Sequence, residues 1–163
     1  MKKSSWVVVG IICVLAAAMV YFQVSARPRP ADEEQIHMLL AKGQSAIERK
    51  DLKGVMSCVS KDYRDSTGLT FDALHMHALE AIRAEGHYDV LLEHTSVEVR
   101  GKTASAKARA TVFLGCDHAG MQRLFSNSVT LHFKKEKSKR FLVIPTRTWK
   151  VARINGLPTD LGG

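Results

Sequence analysis

Residues 48–69, ERKDLKGVMSCVSKDYRDSTGL, decide how this chain is read. Lys50-Asp51 interrupts a helical pattern, and Asp51 stands where a side-chain oxygen accepts hydrogen bonds from the free N–H groups of a following helix. Leu52, Val55, Met56 and Val59 then recur at helical spacing and give one apolar stripe. Asp62-Tyr63-Arg64-Asp65 with Ser66, Thr67 and Gly68 closes the stretch in turn-forming chemistry. The spacing predicts the end of a long helix, a break, a short helix and a turn.

Toward the N-terminus, Asp32-Glu33-Glu34 places acid in a first helical turn, where the macrodipole favours it. Ile36, Leu39, Leu40, Gly43 and Ile47 mark the buried face of a helix ending near Lys50, with Gly43 as a point of close approach. Toward the C-terminus, Thr70 caps a third helix running to about Ala84, with Leu74, Ala78, Ala81 and Ile82 inward and Glu85-Gly86 as its close. From Tyr88 the period becomes two. Tyr88, Val90 and Leu92 alternate, and Val97 and Val99 resume in another phase, which predicts a bulge near Thr95-Ser96. Ala104, Ala106, Ala108, Ala110, Val112 and Leu114 form one long alternating face after a turn at Arg100-Gly101-Lys102. A third strand is expected from Phe125 to Glu136, a basic hairpin loop over 134–140, and a fourth strand from Phe141 to Ile154, broken near Pro145. Helices first and a meander after them mean α+β.

The long helix, the KDL break, the short helix and Ser60-Lys61-Asp62-Tyr63 with Asp65 and Gly68 resemble the opening of the nuclear-transport-factor-2-like (NTF2-like, SnoaL-like) family of the cystatin-like superfamily. The resemblance covers about Asp32 to Pro158 and lies in element order rather than in a catalytic signature. It implies a cone of three N-terminal helices packed on a curved, mostly antiparallel sheet of four to five strands, whose concave face holds small molecules. Ala106, Ala108, Ala110, Val112, Val129, Leu131 and Trp149 would line that face. The alanines either leave room for a small apolar ligand or let the helices pack close, and filled cores are the norm.

Steroid isomerases of this family use a tyrosine on the first helix and two acids around an apolar pocket. The tyrosine's place falls at about Gly43, which departs from that pattern, and no acid interrupts the series from Ala104 to Leu114. Asp65 falls near the family's general-base position, although a solvated turn residue is the commoner identity for an aspartate there. Tyr63, Asp65, His94 and Arg147 are the one polar set worth testing at a pocket mouth. The reading favoured is a non-catalytic module that binds a small ligand or a protein. The alternative is an isomerase or dehydratase acting on a small apolar substrate, with Asp65 as base and Tyr63 or His94 as donor. Sheets of the family also pair face to face, so a homodimer through the sheet is implied, against the polar outer series Ser126, Ser128, Thr130 and His132.

The first residues differ in kind. Lys2 and Lys3 precede an uncharged apolar run from Trp6 to Phe22, and Arg27-Pro28-Arg29-Pro30 follows. Val24-Ser25-Ala26 offers a cleavage site, so residues 1–26 read as a signal peptide or a signal-anchor. The run of 17 residues exceeds a usual signal core and sits at the short end of a membrane span, which favours the anchor. The expected organisation is a targeting segment at 1–26, a stiff linker at 27–31, the domain at 32–158 and a tail at 159–163. The expected location is a single-pass membrane protein with the domain outside the cytoplasm, or a secreted or periplasmic domain after cleavage near Ala26.

At 163 residues, 45% hydrophobic and 25% charged, the chain has the composition of one globular domain. It contains no G-x-S-x-G, no P-loop and no glycine-rich dinucleotide fingerprint, and no cofactor is expected. His75 and His77 project about 200° apart on a helix, and Cys116-Asp117-His118 lacks paired zinc spacing, so no metal is expected. Cys58 and Cys116 read as separate buried thiols ahead of a disulfide. The net charge of +8 falls to +6 without residues 1–26. Much of it lies late, and it suits a solvated turn, anionic headgroups or an acidic partner better than nucleic acid, since aromatic interleaving is absent.

Overall fold

A computed structural model describes residues 31–116, 120–140 and 144–156, without the side chains of residues 116, 138–140 and 144–146. The expected membrane segment at residues 6–22, the cleavage site at Ala26, Asp117-His118 and the tail lie outside the described residues. Among the described residues no helix is long and apolar enough to cross a membrane.

Three helices come first: α1 (Asp32–Glu48), α2 (Leu52–Cys58) and α3 (Phe71–Arg83). Lys50 adopts a left-handed φ of 55° that ends α1. The Asp51 carboxylate accepts from the Gly54 N–H at 2.9 Å and opens α2, a cap of about 1 kcal/mol. Thr70 caps α3 through the Ala73 N–H in the same way. Close approach occurs at Gly54 rather than at Gly43. A Cβ on Gly54 would lie 2.9 Å from the Ala46 Cβ of α1 and collide with the capping Asp51 carboxylate, whereas one on Gly43 would meet nothing within 4 Å.

The four strands β1 (His87–Arg100), β2 (Thr103–Cys116), β3 (Gly120–Arg140) and β4 (Ile144–Asn155) form one antiparallel meander in chain order. Each ladder carries one register shift, between Glu93 and Ser96, between Val112 and Phe113, and between His132 and Phe133. Bulges bend the strand that carries them, so three of them curve the sheet. The first, with His94 at φ 52°, falls where the phase change predicts it.

Two strand expectations need correction. β3 starts five residues before Phe125 and continues past Glu136 to Arg140, pairing Lys134 with Lys150 and Lys137 with Arg147. Residues 134–140 are therefore strand and not a basic loop, because every one of them pairs with a residue of β4. Pairing also runs through Pro145 rather than breaking there. A proline is tolerated because β4 is an edge strand, where a missing N–H costs no ladder bond.

The core sits between α1 and the inner face of the sheet. Ile36 and Leu40 of α1 pack with Ala104, Ala106, Ala108 and Ala110 of β2, Val129, Leu131 and Phe133 of β3, and Trp149 and Val151 of β4. Burying each large side chain contributes about 1.5–3 kcal/mol. No residue of α3 is fully buried, and Ala81, expected inward, is exposed. Cys58 is a buried free thiol.

Candidate functional site

The segment leaving α2 runs beside the free edge of β4. Val59 bridges Val151 in parallel, the Ser60 N–H donates to the Val151 carbonyl at 2.8 Å, and the Arg64 N–H donates to the Ala152 carbonyl at 3.2 Å. Ser60 is fully buried, and its hydroxyl accepts from the Asp62 N–H at 3.0 Å. This short pairing covers part of an exposed edge and fixes the turn that carries Tyr63 and Asp65.

Tyr63 is 2% exposed and belongs to the buried cluster with Ile36, Leu40 and Phe133. Its hydroxyl has no hydrogen-bond partner. Burial pushes its pKa up to about 12, and the charge of Asp65 adds to the rise. The nearby Ile154 backbone N–H lowers it in part, short of hydrogen-bond geometry. Buried polar oxygens are nearly always paired, which sets this hydroxyl apart.

Asp65 is 8% exposed and works locally. Its Oδ1 accepts from the Thr67 N–H at 2.9 Å, the Thr67 hydroxyl at 2.7 Å and the Leu69 N–H at 2.9 Å. Burial alone would raise its pKa. The hydrogen bonds from Thr67, Leu69 and Gly68 outweigh burial and hold the carboxyl below the usual aspartate range. An ionised acceptor with a depressed pKa is suited to organising a turn and is a weak proton acceptor.

The remaining sequence candidates are placed as follows. His94 lies on the bulge of β1, the edge strand opposite β4, and is exposed; Arg147, near the start of β4, is exposed too. Tyr63 and Asp65 are therefore neighbours, and His94 and Arg147 do not join them. Ala106, Ala108, Ala110, Val129, Leu131 and Trp149 share the buried cluster, with Val112 half-buried beyond it. Among the described residues no group of three His, Cys, Asp or Glu side chains could hold a metal ion.

One cluster on the inner side escapes sequence reading. The Lys135 ammonium contacts both Asp32 carboxylate oxygens at 2.6 and 2.7 Å and sits 4.9 Å from the Trp149 ring centroid. The Trp149 Nε1–H donates to Asp32 at 3.3 Å. The Lys135 hydrogen bond holds the Asp32 carboxyl below its ordinary range. This cluster ties the first turn of α1 to β3 and β4. Its members are 103 and 117 residues apart in sequence, so no local pattern signals it.

No protein-family model and no curated protein matches the sequence. Solved structures do. An NTF2-like protein with a cystatin-like fold from Novosphingobium aromaticivorans aligns over 91% of this chain and 90% of its own, at 18% identity and a TM-score of 0.59. The fold is the NTF2-like, cystatin-like cone. A protein of unknown function from Mycobacterium tuberculosis aligns over 78% of this chain and 77% of its own, at 21% identity and a TM-score of 0.60. A protein from Catenulispora acidiphila, solved in complex with S-DNPA, aligns over 78% of this chain and 93% of its own, at 10% identity and a TM-score of 0.62. These identities establish a shared architecture, and function rests on the residues themselves.

Proposed function

We propose that this NTF2-like domain is a non-catalytic binding module whose cone interior takes a small apolar ligand carrying one hydrogen-bonding group. In this reading the domain is tethered outside the cytoplasm by residues 6–22, or is released there after cleavage near Ala26. The observation that carries it is the Tyr63 hydroxyl, buried in an apolar cluster without a partner. Such a group gains a full hydrogen bond from a ligand at little further desolvation cost. The C. acidiphila neighbour, solved with a small molecule, lends support by analogy.

The isomerase or dehydratase reading draws on the proximity of Tyr63 to Asp65. It asks Asp65 to take a proton, while three donors already converge on its Oδ1. That arrangement favours binding over catalysis.

The test is native mass spectrometry of the full chain, extracted in mild detergent, beside the Ala106→Phe variant, which sets a bulky ring among the buried side chains. Wild type is expected to carry an apolar compound, or to take up added 1-naphthol with a rise in melting temperature, and Ala106→Phe to do neither. A wild type that carries nothing and ignores 1-naphthol overturns the reading. Protease accessibility of the domain in intact and permeabilised cells tests its side of the membrane.

A further inference from the structure

The outer face of the sheet has its own organisation. Register sets Glu98 opposite Ser105, Ser105 opposite His132 and His132 opposite Arg153, so one row crosses all four strands. The adjoining row pairs Arg100 with Thr103 and Thr103 with Lys134. With Asp62 and Arg64 from the segment beside β4, these rows line a groove of about 640 Å³, a size typical of small-molecule sites.

The four cationic side chains of the groove differ in what occupies them. Arg100 is closed on Glu98, through Nε at 2.9 Å and Nη2 at 2.6 Å. Lys134 is held between Asp62 at 2.5 Å and Glu136 at 3.2 Å. Arg64 and Arg153 have no carboxylate partner among the described residues. Arg153 donates Nε to the Arg64 carbonyl at 3.2 Å, which steadies the guanidinium and leaves its terminal N–H groups free of that bond. His132 is held too: its Nε2 lies 3.2 Å from the Asn155 amide nitrogen. In the tautomer where that amide donates, Nδ1 carries the ring proton and the imidazole is a further donor.

We propose that this groove binds a small phosphate-bearing molecule, with Arg64 and Arg153 gripping the phosphate, His132 donating to it, and Ser105 and Thr103 forming a hydroxyl floor. The site is separate from the cone interior and goes beyond the function proposed above. Guanidinium groups match phosphate oxygens in bidentate geometry. Glu98, Asp62 and Glu136 offset Arg100 and Lys134, which leaves Arg64 and Arg153 as the cations without a carboxylate for a phosphate monoester, whose charge is about −1.5 to −2 at pH 7. A second copy of this chain is a poor occupant. A two-fold axis through the groove would set its cationic side chains against themselves, and like charges facing each other are costly.

The experiment is calorimetric titration of the full chain in non-ionic detergent with phenyl phosphate, at constant ionic strength, beside benzoate. Saturable binding of phenyl phosphate is expected, with benzoate weaker. Arg64→Gln and Arg153→Gln are expected to weaken it by about tenfold or more, as loss of a charged hydrogen bond does. Thr103→Glu, which adds a negative charge to the floor, is expected to abolish it. Should Arg153→Gln fail to fold, the exposed Arg64 and Thr103 carry the test. Wild-type affinity in Arg64→Gln and Thr103→Glu, or no saturation in wild type, overturns the proposal. Equal binding of benzoate overturns the assignment to phosphate. Binding to phosphatidylglycerol vesicles without binding to phenyl phosphate overturns it in favour of a membrane surface. Self-association that phenyl phosphate leaves unchanged and Arg64→Gln abolishes overturns it in favour of a second copy.

Discussion

Strand β2 presents two surfaces with opposite rules. Inward it sets Ala104, Ala106, Ala108 and Ala110, all buried, against Phe133, Leu131, Val129 and Asn127 of β3. Outward, Ser105, Lys107 and Arg109 face His132, Thr130 and Ser128. The inner face is governed by volume, since a large helix-packed cluster needs small residues somewhere. The outer face is governed by charge, since its side chains differ mainly in which partner each has found. A binding site announces itself differently under each rule: inside by a polar atom without a partner, Tyr63, and outside by cations without carboxylates, Arg64 and Arg153.

The largest test of that division compares sequence neighbours on opposite faces of β3. Phe133→Ala should destabilise the domain by about 3–5 kcal/mol in chemical denaturation, through lost burial and the cavity left behind. Lys134→Ala, one residue on, should cost no more than about 1 kcal/mol, despite its ion pairs with Asp62 and Glu136. Comparable losses would mean that the outer face is structural and the contrast false.

How much of this was legible before the structure follows the same division. Local chemistry was readable: Asp51 and Thr70 cap the helices expected of them, the alanine series is buried, and the bulge lies near Thr95-Ser96. Each rests on residues within a few positions of one another. What depended on long-range register was not. The basic residues 134–140 resemble a turn by composition, and only their pairing with 144–150 makes them strand. Sequence spacing marks Gly43 as the contact point, and the fold puts it instead at Gly54, where α2 crosses Ala46. The clamp of Asp32, Lys135 and Trp149 and the row from Glu98 to Arg153 join residues that only the folded meander brings together.

Acid sharpens the comparison at intermediate size. Asp32 and Asp65 both have folded pKa values below the ordinary 3.8, Asp32 through Lys135 and Asp65 through its turn donors. A carboxyl with a depressed folded pKa contributes stability that is complete above its unfolded value and is lost as pH falls through the folded one. Melting temperature should therefore decline below pH 3.8, and Asp65→Asn should flatten the decline while costing about 1 kcal/mol at neutral pH. If Asp65→Asn instead left the acid limb and the neutral stability unchanged, the turn would not depend on the charge. Asp65 would then be available for the role that its hydrogen bonds now argue against.

The smallest effect tests the inner rule directly. Tyr63→Phe removes a hydroxyl that has no partner, so in a ligand-free domain it should be close to neutral, or stabilising by a few tenths of a kcal/mol. The variant should also lose an alkaline sensitivity. The unfolded phenol releases its proton near 10.0 and the folded one holds it to about 12, so wild-type stability falls across that interval and the variant's falls less. A loss of about 1 kcal/mol or more at neutral pH would mean that the hydroxyl is satisfied in solution by water or by a bound molecule. Extraction and refolding decide between those two. A bound molecule stabilises only while it is present, so after extraction wild type and Tyr63→Phe should converge, whereas a structural water would return and keep them apart.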